Sequence, residues 1–147
     1  MTARVQNPFK SAPEGIKAMM ALEASFKNSG LDSGLLELVR LRVSQINGCA
    51  YCIRMHATDL RKGGETETRL DLLPAWREAP IYSDRERAAF GWAEALTLLA
   101  ETGAPDEDYN RLRAEFSEEE QVQLTLVIGA INAWNRLQVG FRAVPGE

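Results

Sequence analysis

The sequence predicts a single all-α domain, and three observations lead to that prediction. Nearly every segment has apolar residues at helical spacing rather than the alternation typical of strands. Helix-capping signals stand at the ends of these segments. The 147 residues contain no linker, low-complexity tract or clear internal repeat, so residues 1–147 are expected to share one core. The predicted helices cover residues 12–28, 34–46, 49–62, 67–73, 83–101, 105–116 and 117–139.

The first half of the chain alternates helix starts and stops at short intervals. Pro13 suits the first turn of a helix, and Gly30 lies just beyond its end. Residues 31–33 supply an N-cap for a leucine-rich helix, which the pair Asn47-Gly48 ends. The next helix therefore begins at once, near Cys49.

The second half carries two capping boxes, each a serine followed three residues later by a glutamate, at residues 83–86 and 117–120. The second box opens a long helix with apolar residues at core spacing. Asn132 and Asn135 in that helix are expected to serve packing and subunit contacts. The core-spaced residues are Leu124, Val127, Ile131 and Trp134.

Composition and charge are ordinary for a soluble globular protein, with 45% apolar and 26% charged residues. The net charge of −4 gives no support to binding of nucleic acid or of an anionic membrane surface. The longest nearly apolar stretch, residues 124–134, is too short to span a bilayer, and the first residues lack the apolar core of a secretory signal. We therefore expect a cytoplasmic protein, where a Cys-x-x-Cys pair is more often catalytic or metal-binding than structural.

Both cysteines of the chain, Cys49 and Cys52, stand in one Cys-x-x-Cys motif, and the only histidine, His56, follows four residues later. In a helix these three positions lie within about 60° of each other. Gly48 places Cys49 at a helix N-terminus, where the unpaired N–H groups favour a thiolate. Two thiols and a proton acceptor on one face favour reversible dithiol chemistry.

Two other interpretations of the motif stay open. A zinc site is possible if a carboxylate completes the tetrahedron, since Cys49, Cys52 and His56 supply three ligands. The cysteines could also be small buried hydrophobes, with His56 a core histidine.

Glu37 shares a polar strip with Arg40 on a helix that is otherwise apolar nearly all round. From its position alone, Glu37 would be interpreted as a surface residue that forms an ion pair.

The stretch 36–56 resembles the AhpD-like alkylhydroperoxidases of the carboxymuconolactone decarboxylase superfamily. The resemblance rests on Glu37 twelve residues before Cys49, on the Cys-x-x-Cys pair and on His56. It extends over residues 13–99 and implies an AhpD-like helical bundle, with the pair at the N-terminus of a central helix. It also implies a homo-oligomer, a hexamer built as a trimer of dimers or a trimer.

The resemblance further implies a thiol-dependent peroxidase. Cys52 would attack the peroxide, Cys49 would resolve the product, and His56 with Glu37 would relay protons. We expect the external dithiol, thioredoxin-like or lipoyl, to exchange at Cys49 as the more accessible sulfur. Tyr51 stands where some members have a histidine and is a candidate for the mouth of the site.

No phosphate-binding glycine motif occurs in the sequence, so no organic cofactor is expected, and no metal is assigned. Asp59, three residues beyond His56, could orient the imidazole. The alternatives to a peroxidase are a disulfide reductase or a non-catalytic redox- or metal-responsive sensor protein.

Overall fold

The computed structural model describes residues 1–145, and this part of the chain contains nine α-helices, two 3-10 helices and no strand, which confirms the all-α prediction. Most predicted boundaries agree with the structure to within one or two residues. The α-helices are α1 (Pro8–Ser11), α2 (Pro13–Ser25), α3 (Ser33–Ile46), α4 (Ala50–Lys62), α5 (Glu67–Leu72), α6 (Asp84–Thr97), α7 (Leu99–Thr102), α8 (Asp106–Glu115) and α9 (Glu118–Gly140), and the 3-10 helices are Phe26–Asn28 and Leu73–Ala75.

Helix α3 lies at the centre of the bundle and packs against α4, α6 and α9. The side chain of Asp32 caps it by accepting a hydrogen bond from the backbone N–H of Leu35 at 2.9 Å. Seven of its residues are buried, as the nearly all-round apolar sequence predicts. Since α3 touches three other helices, a polar group on it can point toward a shared interior site. The buried residues of α3 are Leu35, Leu36, Leu38, Val39, Leu41, Val43 and Ser44.

Two predicted helices are interrupted in the structure. The predicted helix 83–101 ends at Thr97, and α7 starts after Leu98, whose φ and ψ of −99° and 33° leave the helical region. The Thr102 hydroxyl donates to the Ala95 carbonyl at 2.6 Å and holds this break. The predicted helix 12–28 turns into a 3-10 helix at Phe26, whose ring is buried. No glycine or proline stands at either break, so the sequence carries no signal for it.

Both predicted capping boxes are present, at Ser83 with Glu86 and at Ser117 with Glu120. They fix the starts of α6 and α9, which together with α3 enclose the main core. Of the four residues predicted at core spacing in α9, three are buried and Trp134 is partly buried. No helix within residues 1–145 is both long enough and apolar enough to cross a membrane.

Candidate active site

The Cys49–Cys52 pair lies at the start of α4 and forms a disulfide, with the two Cα atoms 5.3 Å apart. Cys49 is the N-cap residue rather than the first helical residue, and its Sγ accepts a hydrogen bond from the Cys52 backbone N–H at 3.3 Å. A sulfur in this position is stabilised as a thiolate by the helix N-terminus. Both cysteines are buried, with 1% of Cys49 and 2% of Cys52 exposed.

A polar network fixes the turn that precedes the cysteines. Gly48 has a φ of +65°, a backbone conformation that favours glycine. The Asn47 amide donates to the side-chain oxygens of Asn132 at 3.0 Å and Asn135 at 2.9 Å. Asn135 in turn donates to the Ser44 hydroxyl at 3.1 Å. The two asparagines therefore hold the cysteine turn against α9, a role that the sequence analysis missed.

His56 is buried on the inward face of α4 with Cys52, as the sequence predicted, and it is hydrogen-bonded to Glu37 of α3. The distance between His56 Nδ1 and Glu37 Oε2 is 2.8 Å. Burial alone would raise the pKa of Glu37, but the hydrogen bond and charge of His56, together with Arg40, outweigh it and lower that pKa below its ordinary value. Glu37 is therefore a carboxylate at neutral pH, and Nδ1 carries the proton that it donates.

The role of the other ring nitrogen of His56, Nε2, follows from the bond between Nδ1 and Glu37. In the neutral form of the ring, the proton on Nδ1 leaves Nε2 with a free lone pair that can accept a proton, and in the protonated form, whose charge helps to lower the pKa of Glu37, Nε2 carries that proton. Within residues 1–145, Nε2 is the one buried side-chain nitrogen or oxygen that has no hydrogen-bond partner. Since buried polar groups are nearly always paired, an unpaired nitrogen in a residue that lines the same cavity as Cys52 makes His56 a candidate for a chemical role.

Arg40 extends the hydrogen-bond chain from Glu37 to α2. It donates to Glu37 Oε1 at 2.6 Å and to Glu23 Oε2 at 3.1 Å, and it is largely buried. The remaining oxygen of Glu23 accepts from Trp134 Nε1 at 3.1 Å. The predicted polar strip on α3 is thus confirmed for Glu37 and Arg40. Arg40 binds one oxygen of the Glu37 carboxylate, and His56 binds the other.

A cavity of about 590 Å³ lies where α2, α3, α4 and α9 meet, and Cys52 and His56 form part of its wall. Pockets for small organic ligands have volumes of about 300–1,000 Å³. Its lining is mainly apolar, and the ring of Phe9 stacks on Trp134 with centroids 5.9 Å apart. Tyr51 also lines the cavity. The main apolar lining residues are Phe9, Met20, Phe26, Leu31, Leu36, Met55, Ile131 and Trp134.

The cavity corrects the expectation that Cys49 is the accessible sulfur. Among the described residues that line the cavity, Cys52 is the one cysteine. Cys49 is held instead at the helix cap, where its sulfur faces the backbone N–H of Cys52. Helix-wheel reasoning placed both cysteines on one face but could not show which one faces an opening.

Asp59 does not take the orienting role considered from the sequence, because Nδ1 of His56 is bonded to Glu37. Glu37, His56 and the exposed Asp59 do bring ligand atoms within 4.8 Å of one another. This cluster uses neither cysteine, so it is not the Cys-x-x-Cys zinc site considered from the sequence. Glu37 is bonded to His56, and His56 and Cys52 line the same cavity.

Comparison with known proteins places the chain in one family. The model of the carboxymuconolactone decarboxylase family matches residues 13–95. The uncharacterized protein YdfG of Bacillus subtilis is 47% identical over 131 residues, which cover 89% of each chain. Alkyl hydroperoxide reductase AhpD of Maricaulis maris is 49% identical over 43 residues, or 29% of this chain and 25% of that protein.

A solved structure shows the same architecture over nearly the full length. It is ATU0492 of Agrobacterium tumefaciens, a protein of unknown function that has been related to AhpD and to antioxidant defence. The two chains are 48% identical, with a TM-score of 0.95 over 99% of each. This chain therefore belongs to the carboxymuconolactone decarboxylase family, in its AhpD-like branch with a Cys-x-x-Cys pair. The relationship indicates a peroxide-related oxidoreductase.

Proposed function

We propose that the protein is a thiol-dependent peroxidase that reduces organic hydroperoxides through a dithiol–disulfide cycle of Cys49 and Cys52. The observation that carries the proposal is the bond between Glu37 and His56, which leaves His56 Nε2 unpaired, in a residue that lines the same cavity as Cys52. A proton acceptor there is needed for thiol activation and is not needed for a structural disulfide.

In the oxidising half of the cycle, His56 Nε2 takes the proton of the Cys52 thiol. The thiolate attacks one peroxide oxygen, so that a sulfur–oxygen bond forms while the oxygen–oxygen bond breaks. The protonated His56 then returns its proton to the leaving alkoxide, which departs as an alcohol. Cys52 is left as a sulfenic acid, oxidised by two electrons, while the peroxide is reduced by two.

Cys49 resolves the sulfenic acid. Its sulfur at the helix cap is stabilised as a thiolate and attacks the Cys52 sulfur, forming the disulfide as hydroxide leaves and is protonated to water. The Cα separation of 5.3 Å is within the usual range for a disulfide. An external dithiol, thioredoxin-like or lipoyl, then returns two electrons. That partner, the homo-oligomer and the cytoplasmic location stay predictions.

The first test is turnover of cumene hydroperoxide with dihydrolipoamide, reduced thioredoxin or glutathione supplied in turn. We expect wild-type protein to consume many equivalents of peroxide with at least one of these donors. With a donor present, Cys52→Ser should consume none. Without a donor, Cys49→Ser should consume one equivalent and then hold a sulfenic acid that dimedone traps. These opposite outcomes for two cysteines three residues apart are a matched control.

The competing interpretations give different results. A redox sensor would oxidise once per chain and then stop, whatever donor is present. A disulfide reductase would reduce a disulfide substrate without consuming peroxide. Loss of peroxide consumption in Cys49→Ser but not in Cys52→Ser would reverse the proposed roles of the two cysteines.

A further inference from the structure

We infer that the external dithiol enters the same cavity as the peroxide and attacks Cys52, so that Cys49 is the leaving group. This inference concerns the reducing half of the cycle and rests on the proposed dithiol–disulfide function. It differs from the expectation from the sequence, in which exchange takes place at Cys49.

Access is the first reason. A thiolate must approach the attacked sulfur roughly along the sulfur–sulfur bond, so the sulfur must face open space. Cys52 lines the cavity of about 590 Å³. Both cysteines are almost fully buried, but Cys49 is not among the described residues that line the cavity, and it follows the turn that Asn47 ties to α9. A reductant would have to displace this packed turn to reach Cys49.

Leaving-group stability is the second reason. Exchange is faster when the expelled thiol is the more acidic one. Cys49 Sγ already accepts the backbone N–H of Cys52 at 3.3 Å, at the positive end of the α4 dipole. The charge that develops on the departing sulfur therefore has a donor in place before the bond breaks.

The step can be written in full. His56 Nε2 takes the proton of the incoming thiol, and the resulting thiolate bonds to Cys52 while the Cys49–Cys52 bond breaks and Cys49 leaves as a thiolate. The second thiol of the reductant gives its proton to the Cys49 thiolate and attacks the reductant's sulfur in the mixed disulfide. Cys52 leaves as a thiolate and takes up the proton that His56 holds. The dithiol loses two electrons and becomes a disulfide, and the protein pair gains them.

The cavity also limits the shape of the reductant. The dithiol must be slender and carried on a flexible arm, because Cys52 is almost fully buried and the wall of the cavity that leads to it is largely apolar. Peroxide and reductant would then exclude each other, since one opening serves both.

The direct test maps the mixed disulfide and uses no peroxide, so it stays informative even if the peroxidase proposal fails. Oxidised wild-type protein is mixed with the monothiol 2-mercaptoethanol, quenched with acid, and alkylated with N-ethylmaleimide. Fragmentation of the peptide that contains both cysteines should place mercaptoethanol on Cys52 and maleimide on Cys49. The reverse labelling, or an equal mixture, would overturn the inference.

A second test narrows the cavity with Ala24→Trp, because Ala24 of α2 lies in the cavity wall. Ala21→Trp on the same helix is the matched control, since Ala21 is exposed and is not one of the lining residues that the structure describes. Ala24→Trp should slow both oxidation by cumene hydroperoxide and reduction by dithiothreitol by roughly ten- to a hundredfold, as misplacing a reacting group by about an ångström can do. Slowing of only one half-reaction, or of neither, would show that the two reactants do not share this entrance.

Discussion

Two arginines of helix α3 each bind a partly buried glutamate, and the two clusters differ in the other donors that bind the carboxylate. In one, Glu37 accepts from Arg40 and His56. In the other, Glu94 of α6 accepts from Arg42 at 3.0 Å, and also from a tryptophan and a second arginine. The side chains of Glu37 and Glu94 are 25% and 17% exposed. We call these the Glu37 cluster and the Glu94 cluster.

The same physics acts on both carboxylates. Burial alone would raise the pKa of Glu94, but hydrogen bonds from Trp76, Arg42 and Arg77 outweigh it and lower that pKa below its ordinary value, as happens at Glu37. A lowered carboxylate pKa therefore does not distinguish a functional cluster from a structural one. The difference is His56. It is the donor to Glu37 that has no counterpart in the Glu94 cluster, and its second ring nitrogen is unpaired.

The largest effect is expected from His56→Gln, which removes the proton acceptor and keeps a polar side chain of similar size. Loss of a general base typically slows a reaction by about 10²- to 10⁴-fold. The rate of peroxide-dependent disulfide formation, followed by stopped-flow fluorescence across pH, should fall by that amount. Disulfide formation at equilibrium should survive, because both sulfurs keep their positions. A wild-type rate with an unchanged pH profile would make His56 a packing residue only.

A smaller effect is expected from Glu37→Gln, and Glu94→Gln is its matched control in the other cluster. Losing the partner that fixes the tautomer and orientation of a histidine costs roughly ten- to a hundredfold in activity. The rate should fall in Glu37→Gln and stay at the wild-type level in Glu94→Gln. Equal losses in both variants would show that the clusters differ only in position.

The stability of the same two variants should change alike. A carboxylate with a lowered pKa in the folded state stabilises the fold above its unfolded pKa, and that stabilisation is lost as pH falls through the folded pKa. Both variants should therefore unfold more easily than wild type at neutral pH and depend less on pH in the acid range. Urea unfolding at several pH values measures this, and only the rate should separate the two clusters.

The contrast between the clusters also shows what the sequence could predict. The helices, the capping boxes and the shared face of Cys52 and His56 were predictable, since they follow from local spacing. Glu37 was assigned only through resemblance to a family, because nothing local separates it from a surface glutamate. The link from Arg40 to Glu23 joins residues 17 positions apart on different helices, and no local pattern encodes it.

The cavity could not be predicted from the sequence for the same reason. Its wall combines residues from distant parts of the chain, such as Phe9, Tyr51 and Trp134. The asparagines of α9 did carry a signal, since a polar side chain at a core position of an apolar helix needs a partner. That partner, Asn47, lies 85 residues from Asn132 and could not be identified without the fold.

The smallest effect is expected from Arg40→Met, with Arg42→Met as the control on the same helix. Each change removes a largely buried guanidinium and keeps an apolar stem, so each should cost about 1–3 kcal/mol of stability through lost charged hydrogen bonds. Only Arg40→Met removes a positive charge from Glu37, so burial should then raise the pKa of Glu37. Because the relay requires the carboxylate, the fall in oxidation rate on the acid side should begin at a higher pH, while the rate well above that range should change less than about tenfold. Stopped-flow rates across pH measure the shift, and the same shift in Arg42→Met would show that it reflects loss of stability rather than the relay.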